Sequence, residues 1–361
     1  MPQGSLYIVT DQGPATGIGI YADALAKLLQ GTFSDVGVLS LCYLPVEPRP
    51  DWVRLRGSRI AESWSQVPTA LRHNYRLMVK ELPPDSRVHF CGSDYGFVSC
   101  FPRSVVTIHD YYLRLPSLAN VREPTILLRD VSSAFAFLTM PRHVHSARER
   151  VVPTRFVREC LMQGCGLSSN VIHHWIDSSR FRPREMREAR ELLGLPLNEK
   201  LVLNVSQGTS NKNYSMLAQI ATHLRADYRM VKVGAKLQNA PSAVHLENLS
   251  HDVYPYLFNA CDVYVHASSQ EGFGWPLIEA AASELPVVAL RTDVATEVLS
   301  DAAQFVGPHD SIDRWIAAIE RLANADVRHQ TILRSKARLP LFNPQTALNL
   351  YETLYRRAFD R

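Results

Sequence analysis

Lysine is scarce in this chain. Seven of the 39 Lys and Arg residues in its 361 positions are lysines and the other 32 are arginines, so each lysine runs against the local habit. No apolar run reaches the ~18 residues of a membrane span. The opening Met1–Gly13 stretch lacks the basic-then-apolar order of a secretory signal, and Leu6–Thr10 reads as a buried strand. The six cysteines (Cys42, Cys91, Cys100, Cys160, Cys165 and Cys261) form no CxxC pair, and none stands beside a histidine at metal-ligand spacing. That argues against a disulfide scaffold and fits a reducing, cytoplasmic setting. No Asp-x-Asp occurs, so the acids that usually hold Mg²⁺ or Mn²⁺ on a diphosphate are missing. A net charge of +4 is too mild to point to a nucleic-acid partner. With 46% hydrophobic and 20% charged residues, the composition excludes disorder and coiled coil. The length suggests two domains.

What is present alternates. Strand-like runs are Leu6–Thr10, Val36–Leu41, Val88–Cys91 and Val105–His109. Later runs are Leu201–Val205, Met230–Val233, Val244–Leu246, Val263–His266 and Val287–Leu290. They are short, apolar and mostly β-branched, as strands buried on both faces of parallel sheets are. Between them lie helical stripes such as Ile18, Tyr21, Ala22, Leu25 and Leu29. This pattern predicts an α/β chain of two doubly wound, Rossmann-like domains facing across a cleft. The first spans 1–165, with a last helix (Pro344–Phe359) crossing back to it in 343–361. The second spans 166–342, with a hinge near Gly164–Asn170. Residues 45–84 show no regular pattern.

The most informative segment is Gln270-Glu-Gly-Phe-Gly-Trp-Pro-Leu-Ile-Glu279, after the Val263–His266 strand. Gly272 and Gly274 permit a sharp turn and close approach of a ligand to backbone N–H groups. Pro276 suits a first helical turn, and a helix start favours anions. Carboxylates beside an anion site would repel phosphate, so Glu271 and Glu279 are suited to hydroxyls, as on sugars. The plainer reading of Glu279, a charge complementing the helix dipole, accounts for one acid only.

This Glu271–Glu279 pair, with Glu271-Gly-Phe-Gly at its start and seven residues between the acids, resembles the signature of retaining GT-B glycosyltransferases. These form the large nucleotide-sugar-dependent family that includes bacterial mannosyltransferases and sucrose synthases. The resemblance implies that Glu271 contacts donor-sugar hydroxyls and Glu279 the ribose, while the N–H groups of Phe273 to Trp275 line the donor site. It also implies that Gly17 and Gly19, in Asp11-Gln-Gly-Pro-Ala-Thr-Gly-Ile-Gly, approach the donor diphosphate and the acceptor. His109, at the end of Val105-Val-Thr-Ile-His, would position reacting hydroxyls. Asp110 either orients His109 or caps the following turn. In Val202-Leu-Asn-Val-Ser-Gln-Gly-Thr-Ser-Asn-Lys212, Lys212 matches the family lysine that grips the diphosphate. The usual arginine is replaced by Gln207, which carries no charge, and Lys236 or Arg155 could compensate. His173 and His174 stand where the family has Pro-Asn in its hinge segment; with no third ligand in view they are not read as a metal site.

The implied activity is hexosyl transfer with retention, from a nucleotide-diphosphate sugar to a glycan or lipid-linked acceptor in polysaccharide or glycoconjugate synthesis. The nucleotide sugar is a co-substrate, with no cofactor and no metal; Lys212 and a helix start would stabilise the leaving phosphate. Two other readings stand beside it: a sugar-nucleotide epimerase of GT-B fold, and a catalytically weak nucleotide-sugar-binding subunit. Arg49, Arg54, Arg56 and Arg59 around Trp52, with Arg72, Arg76 and Lys80, further suggest peripheral contact of the first domain with the cytoplasmic face of an anionic membrane. The same residues also read as a solvated basic face.

Overall fold

Runs of β-branched and aromatic residues fold as expected into two all-parallel sheets. The computed structural model describes residues 5–10, 16–33, 35–40, 87–92, 98, 104–111 and 138–360. The chain forms two units, Met1–His174 with Ala347–Arg361, and Trp175–Thr346. The basic cluster around Trp52 and the Arg72, Arg76 and Lys80 stretch lie outside the described residues. Among those described, no helix is long and apolar enough to cross a membrane.

The first unit contains β1 (Ser5–Thr10), β2 (Asp35–Ser40), β3 (Arg87–Cys91), β4 (Val105–Thr107), β5 (Glu149–Val152) and β6 (Asn170–Val171), in the order β2-β1-β3-β4-β5-β6. Three expectations are corrected. The strand expected to run to His109 ends at Thr107, although Ile108 N still donates to Val151 O at 2.8 Å. The predicted break at Gly164–Asn170 is not the unit boundary: β6, Asn170–Val171, still pairs with β5, and the first unit runs to His174. Gly166, at φ +69, ends the Arg155–Cys165 helix instead. The second boundary falls at 346/347 rather than 342/343.

The final helix, Pro344–Phe359, drives two fully buried tyrosines into the first unit's core. Tyr355 OH meets His89 Nδ1 at 2.5 Å, and His89 Nε2 meets Thr107 Oγ1 at 2.7 Å. Tyr21 OH bridges Thr107 Oγ1, at 3.1 Å, and the Tyr351 hydroxyl. Such a network satisfies polar groups that would be costly if left alone in an apolar interior.

The second unit contains β7 (Lys200–Ser206), β8 (Tyr228–Gly234), β9 (Val244–Leu246), β10 (Val263–His266), β11 (Val287–Leu290) and β12 (Ala303–Val306). Their order is β12-β11-β10-β7-β8-β9, and every pairing is parallel. Relative to the first strand, β7, the order is 3-2-1-4-5-6, the doubly wound nucleotide-binding order. Val202, Leu217, Ile220, Val265, Val288 and Trp315 lie at the centre of its core.

Candidate functional site

In a sheet of this order, ligands bind outside the carboxyl ends of the strands where the order reverses. Here that point lies between β7 and β10. The chain leaves β7 through Gln207 into a short 3-10 turn, Ser210–Lys212, and leaves β10 through Ala267–Phe273 into the Trp275–Ala282 helix. The two loops are stitched together. Ser269 N donates to Asn211 O at 2.8 Å, and Asn211 Nδ2 donates to Gln270 O at 2.8 Å. Asn211 is buried, so its backbone and amide fix the register of one loop on the other.

That stitch places Lys212 opposite Glu271, with Nζ donating to Oε1 at 2.5 Å. Burial disfavours the Glu271 carboxylate, yet Lys212 and His266 outweigh it and hold the group below the usual carboxyl range. His266 Nε2 lies 3.7 Å from the same oxygen, and its Nδ1 is 3.2 Å from the Tyr264 hydroxyl. Burial pushes His266 down to about 4, so the ring is neutral at pH 7. A neutral ring with its proton on Nε2 faces the carboxylate with a donor and leaves Nδ1 to accept from Tyr264.

Glu279 lies one turn into the following helix. It is buried and accepts from Tyr254 OH at 2.8 Å. Burial raises its carboxyl to about 7, against the lowering effects of the Tyr254 bond and Arg180. The buried Tyr264 phenol is affected by both Glu271 and Glu279 and is held un-ionised first by burial and then by the two acids. The acids are therefore neighbours with opposite tunings, Glu271 fully ionised and Glu279 poised near neutrality.

Gly274 starts the helix at φ +82, where a Cβ would stand 3.0 Å from Leu277 Cδ1, and no side chain caps this start. The Phe273 ring is buried against Trp275 and Phe342, so the segment can offer a ligand its backbone but not that ring. Gly272 and Trp275 are half-buried beside it. Gln207 is exposed at the end of β7, with Cδ 3.7 Å from where a Cβ of Gly234 would lie.

The first unit holds the other expected residues. Thr16 caps the Gly17–Leu28 helix by accepting from Gly19 N at 3.0 Å. Gly17 is exposed, and a Cβ there would meet nothing within 4 Å. Tyr21 of this helix packs edge-on against His109, with ring centroids 4.7 Å apart, and against His174 at 4.6 Å. Tyr21, His109 and His174 thus form one aromatic cluster. His109 Nε2 is closed to solvent and has no hydrogen-bond partner among the described residues. Burial takes its ring down to about 3, so at neutral pH it can position a hydroxyl but not act as an acid. Among the described residues no three His, Cys, Asp or Glu side chains gather as a metal site.

Sequence reasoning missed Tyr254, His266 and Asn211. A neutral partner for an acid and an amide that joins two loops carry no local motif, so only the topology brings them into view.

The switch point of the second unit thus gathers a lysine and two differently tuned acids. The fold agrees with known structures. Over 99% of both chains it is similar to sucrose-phosphate synthase from Thermosynechococcus elongatus, with a TM-score of 0.77 at 17% identity. It is also similar to Anabaena HepE in complex with UDP-glucose, with a TM-score of 0.69 at 17% identity over 97% of this chain and 99% of that one. The fold is that of the GT-B glycosyltransferases. Residues 185–339, within the second unit, match the family described as Glycosyl transferases group 1. A Bacillus subtilis protein, named provisionally as the teichuronic acid biosynthesis glycosyltransferase TuaC, is 28% identical over 226 residues, 61% of this chain and 54% of that protein. The chain spans about half the length of the curated relatives it matches.

Proposed function

We propose that this chain is a retaining glycosyltransferase that moves a hexose from a nucleotide-diphosphate sugar to a hydroxyl of a glycan or lipid-linked acceptor. The observation that carries the reading is the Lys212–Glu271 pair, held at the switch point beside Glu279. Lys212 takes the donor diphosphate. Glu271 accepts from hydroxyls of the transferred sugar, and Glu279 accepts from the ribose diol, for which an ionised carboxylate has the lone pairs. Phe273 to Trp275 line the donor site at a helix start, where anions are favoured. In this reading Gly17, which has open space about it, and Gly19 approach the donor diphosphate and the acceptor at the start of the Gly17–Leu28 helix. His109, neutral and with no partner for Nε2 among the described residues, positions a reacting hydroxyl.

As the sugar–phosphate bond breaks, negative charge builds on the leaving phosphate. Lys212 and fixed backbone dipoles stabilise it without reorganising, which is the largest lever such sites have. The acceptor hydroxyl attacks the face that the diphosphate leaves, and the departing phosphate oxygen takes its proton. Lys212 supplies the positive charge in this scheme, and no metal enters it.

The experiment is a thermal-shift screen of nucleoside diphosphates, followed by incubation of the best donor with and without acceptor. Native-state binding raises the melting temperature according to affinity. A new glycoside with the donor's anomeric configuration supports the reading. Epimerised donor without acceptor would replace it with an isomerase, and binding without turnover would replace it with a binding subunit.

A further inference from the structure

Lys232, on β8, is fully buried. Its Nζ donates to Ser206 O at 2.7 Å and Val233 O at 2.6 Å, at the carboxyl ends of β7 and β8. The ammonium also stands 5.1 Å from the centre of the Tyr214 ring. Among the described residues no carboxylate pairs with it. The charged group that acts on it is another cation, Lys212, and the other titratable groups facing it are Tyr214 and His245. Burial first, and Lys212 second, press it down to about 7. A buried ammonium without a counter-charge is expensive, and a second cation nearby makes it more so. The arrangement becomes favourable once an anion arrives at Lys212. The first loop position offers no such charge, since Gln207 is neutral and exposed.

We infer that Lys232 is the second positive charge of the phosphate pocket, a positioning residue acting from beneath the 206–212 loop. It draws back the Ser206 and Val233 carbonyls, whose negative ends would otherwise face an incoming phosphate, and adds its own field to that of Lys212. Tyr214 OH assists by donating to the same Ser206 oxygen at 2.7 Å. Gly234 lets the strands close this tightly: at φ +91 a Cβ would lie 2.4 Å from Ser206 O. The inference rests on Lys212 being the diphosphate contact.

The test is calorimetry of the full chain with uridine and guanosine and with their mono- and diphosphates. Wild type is compared with Lys232→Met, Lys232→Gln and Lys212→Ala. Lys232→Gln keeps N–H donors for the two carbonyls and removes only the charge, so it decides the matter if the Met variant does not fold. The expected result is a loss of diphosphate affinity of roughly tenfold in either Lys232 variant, the scale of one charge–charge interaction screened at an effective dielectric of about 20. Nucleoside affinity should stay within about twofold. Wild-type diphosphate affinity in Lys232→Gln overturns the inference, and so does equal weakening of nucleoside and diphosphate, which marks a purely structural lysine. A wild-type chain that binds no diphosphate, or Lys212→Ala that binds it unchanged, overturns the underlying reading of the site instead.

Discussion

Lys212 and Glu271 stand on loops after different strands, 59 residues apart in sequence, and meet through Nζ and Oε1 at 2.5 Å. The pair is largely withdrawn from water, with side chains 21% and 15% exposed. A diphosphate arriving at Lys212 therefore competes with Glu271 for the same ammonium. Glu271→Gln should relieve that competition, tightening nucleoside diphosphate binding by roughly tenfold while cutting sugar transfer by about 10² or more. Calorimetry and steady-state kinetics on one preparation check both. Weaker diphosphate binding in this variant would show that the pair opens in a different way.

Lys212→Ala should lower turnover by roughly 10²–10³, the loss typical of removing one preorganised donor from a developing oxyanion. It should also destabilise the chain by about 2–3 kcal/mol, because Glu271 is left largely desolvated without its partner. Urea unfolding checks the second effect, and the double variant Lys212→Ala with Glu271→Gln should recover most of that stability.

Glu279 carries a folded-state value raised to about 7, mainly by burial. A raised carboxyl contributes stability at low pH that is lost as pH climbs from its unfolded value through 7. Glu279→Gln should therefore be more stable than wild type at pH 8, on the order of 1–3 kcal/mol, with the gain vanishing below pH 4.5. The same variant should bind nucleosides more weakly. In wild type that affinity should fall below pH 7 as the acceptor carboxylate gains its proton. Parallel melting and binding curves from pH 4 to 8 check this.

His89 is buried in the tyrosine network, and burial takes it down to about 3, with a smaller contribution from His109. A depressed histidine leaves stability intact above its unfolded value near 6.5 and removes it as pH falls toward 3. Each such residue should cost on the order of 1–2 kcal/mol by pH 5. His89→Gln should flatten the acid limb of the first unit's unfolding curve, read by hydrogen exchange in β3. An unchanged limb would show that other groups govern acid sensitivity.

Two glycines should behave oppositely. Gly234→Ala meets Ser206 O and a left-handed backbone, so it should lose at least about 2 kcal/mol. Gly17→Ala enters open space at a helix start and should leave stability unchanged or slightly raised. A drop in transfer activity without a drop in melting temperature at Gly17 would then report on ligand room alone.

Much of this was legible beforehand. Strands such as Val263–His266 and Val287–Leu290 stand out because strands buried on both faces need unbroken β-branched runs. The strands that escaped notice break that rule. β5 begins with Glu149 and Arg150, whose guanidinium instead satisfies the Val144, Ala147 and Ser168 carbonyls. β6 is two residues long and β12 is a short edge strand containing Gln304. In the site, Glu271, Gly274 and Glu279 are visible because glycines and acids at fixed spacing need no tertiary context. Lys232 and His266 are not, since a polar residue inside an apolar strand shows its purpose only when the neighbouring strand ends are known.

The central claim is that Lys212, Glu271 and Glu279 together grasp a nucleotide sugar. The direct measurement is a crystal structure of the chain soaked with the donor that raises its melting temperature most. Diphosphate oxygens should lie within hydrogen-bond reach of Lys212 Nζ, sugar hydroxyls on Glu271 and ribose hydroxyls on Glu279. A donor bound away from these three side chains, with the Lys212–Glu271 pair undisturbed, would contradict it.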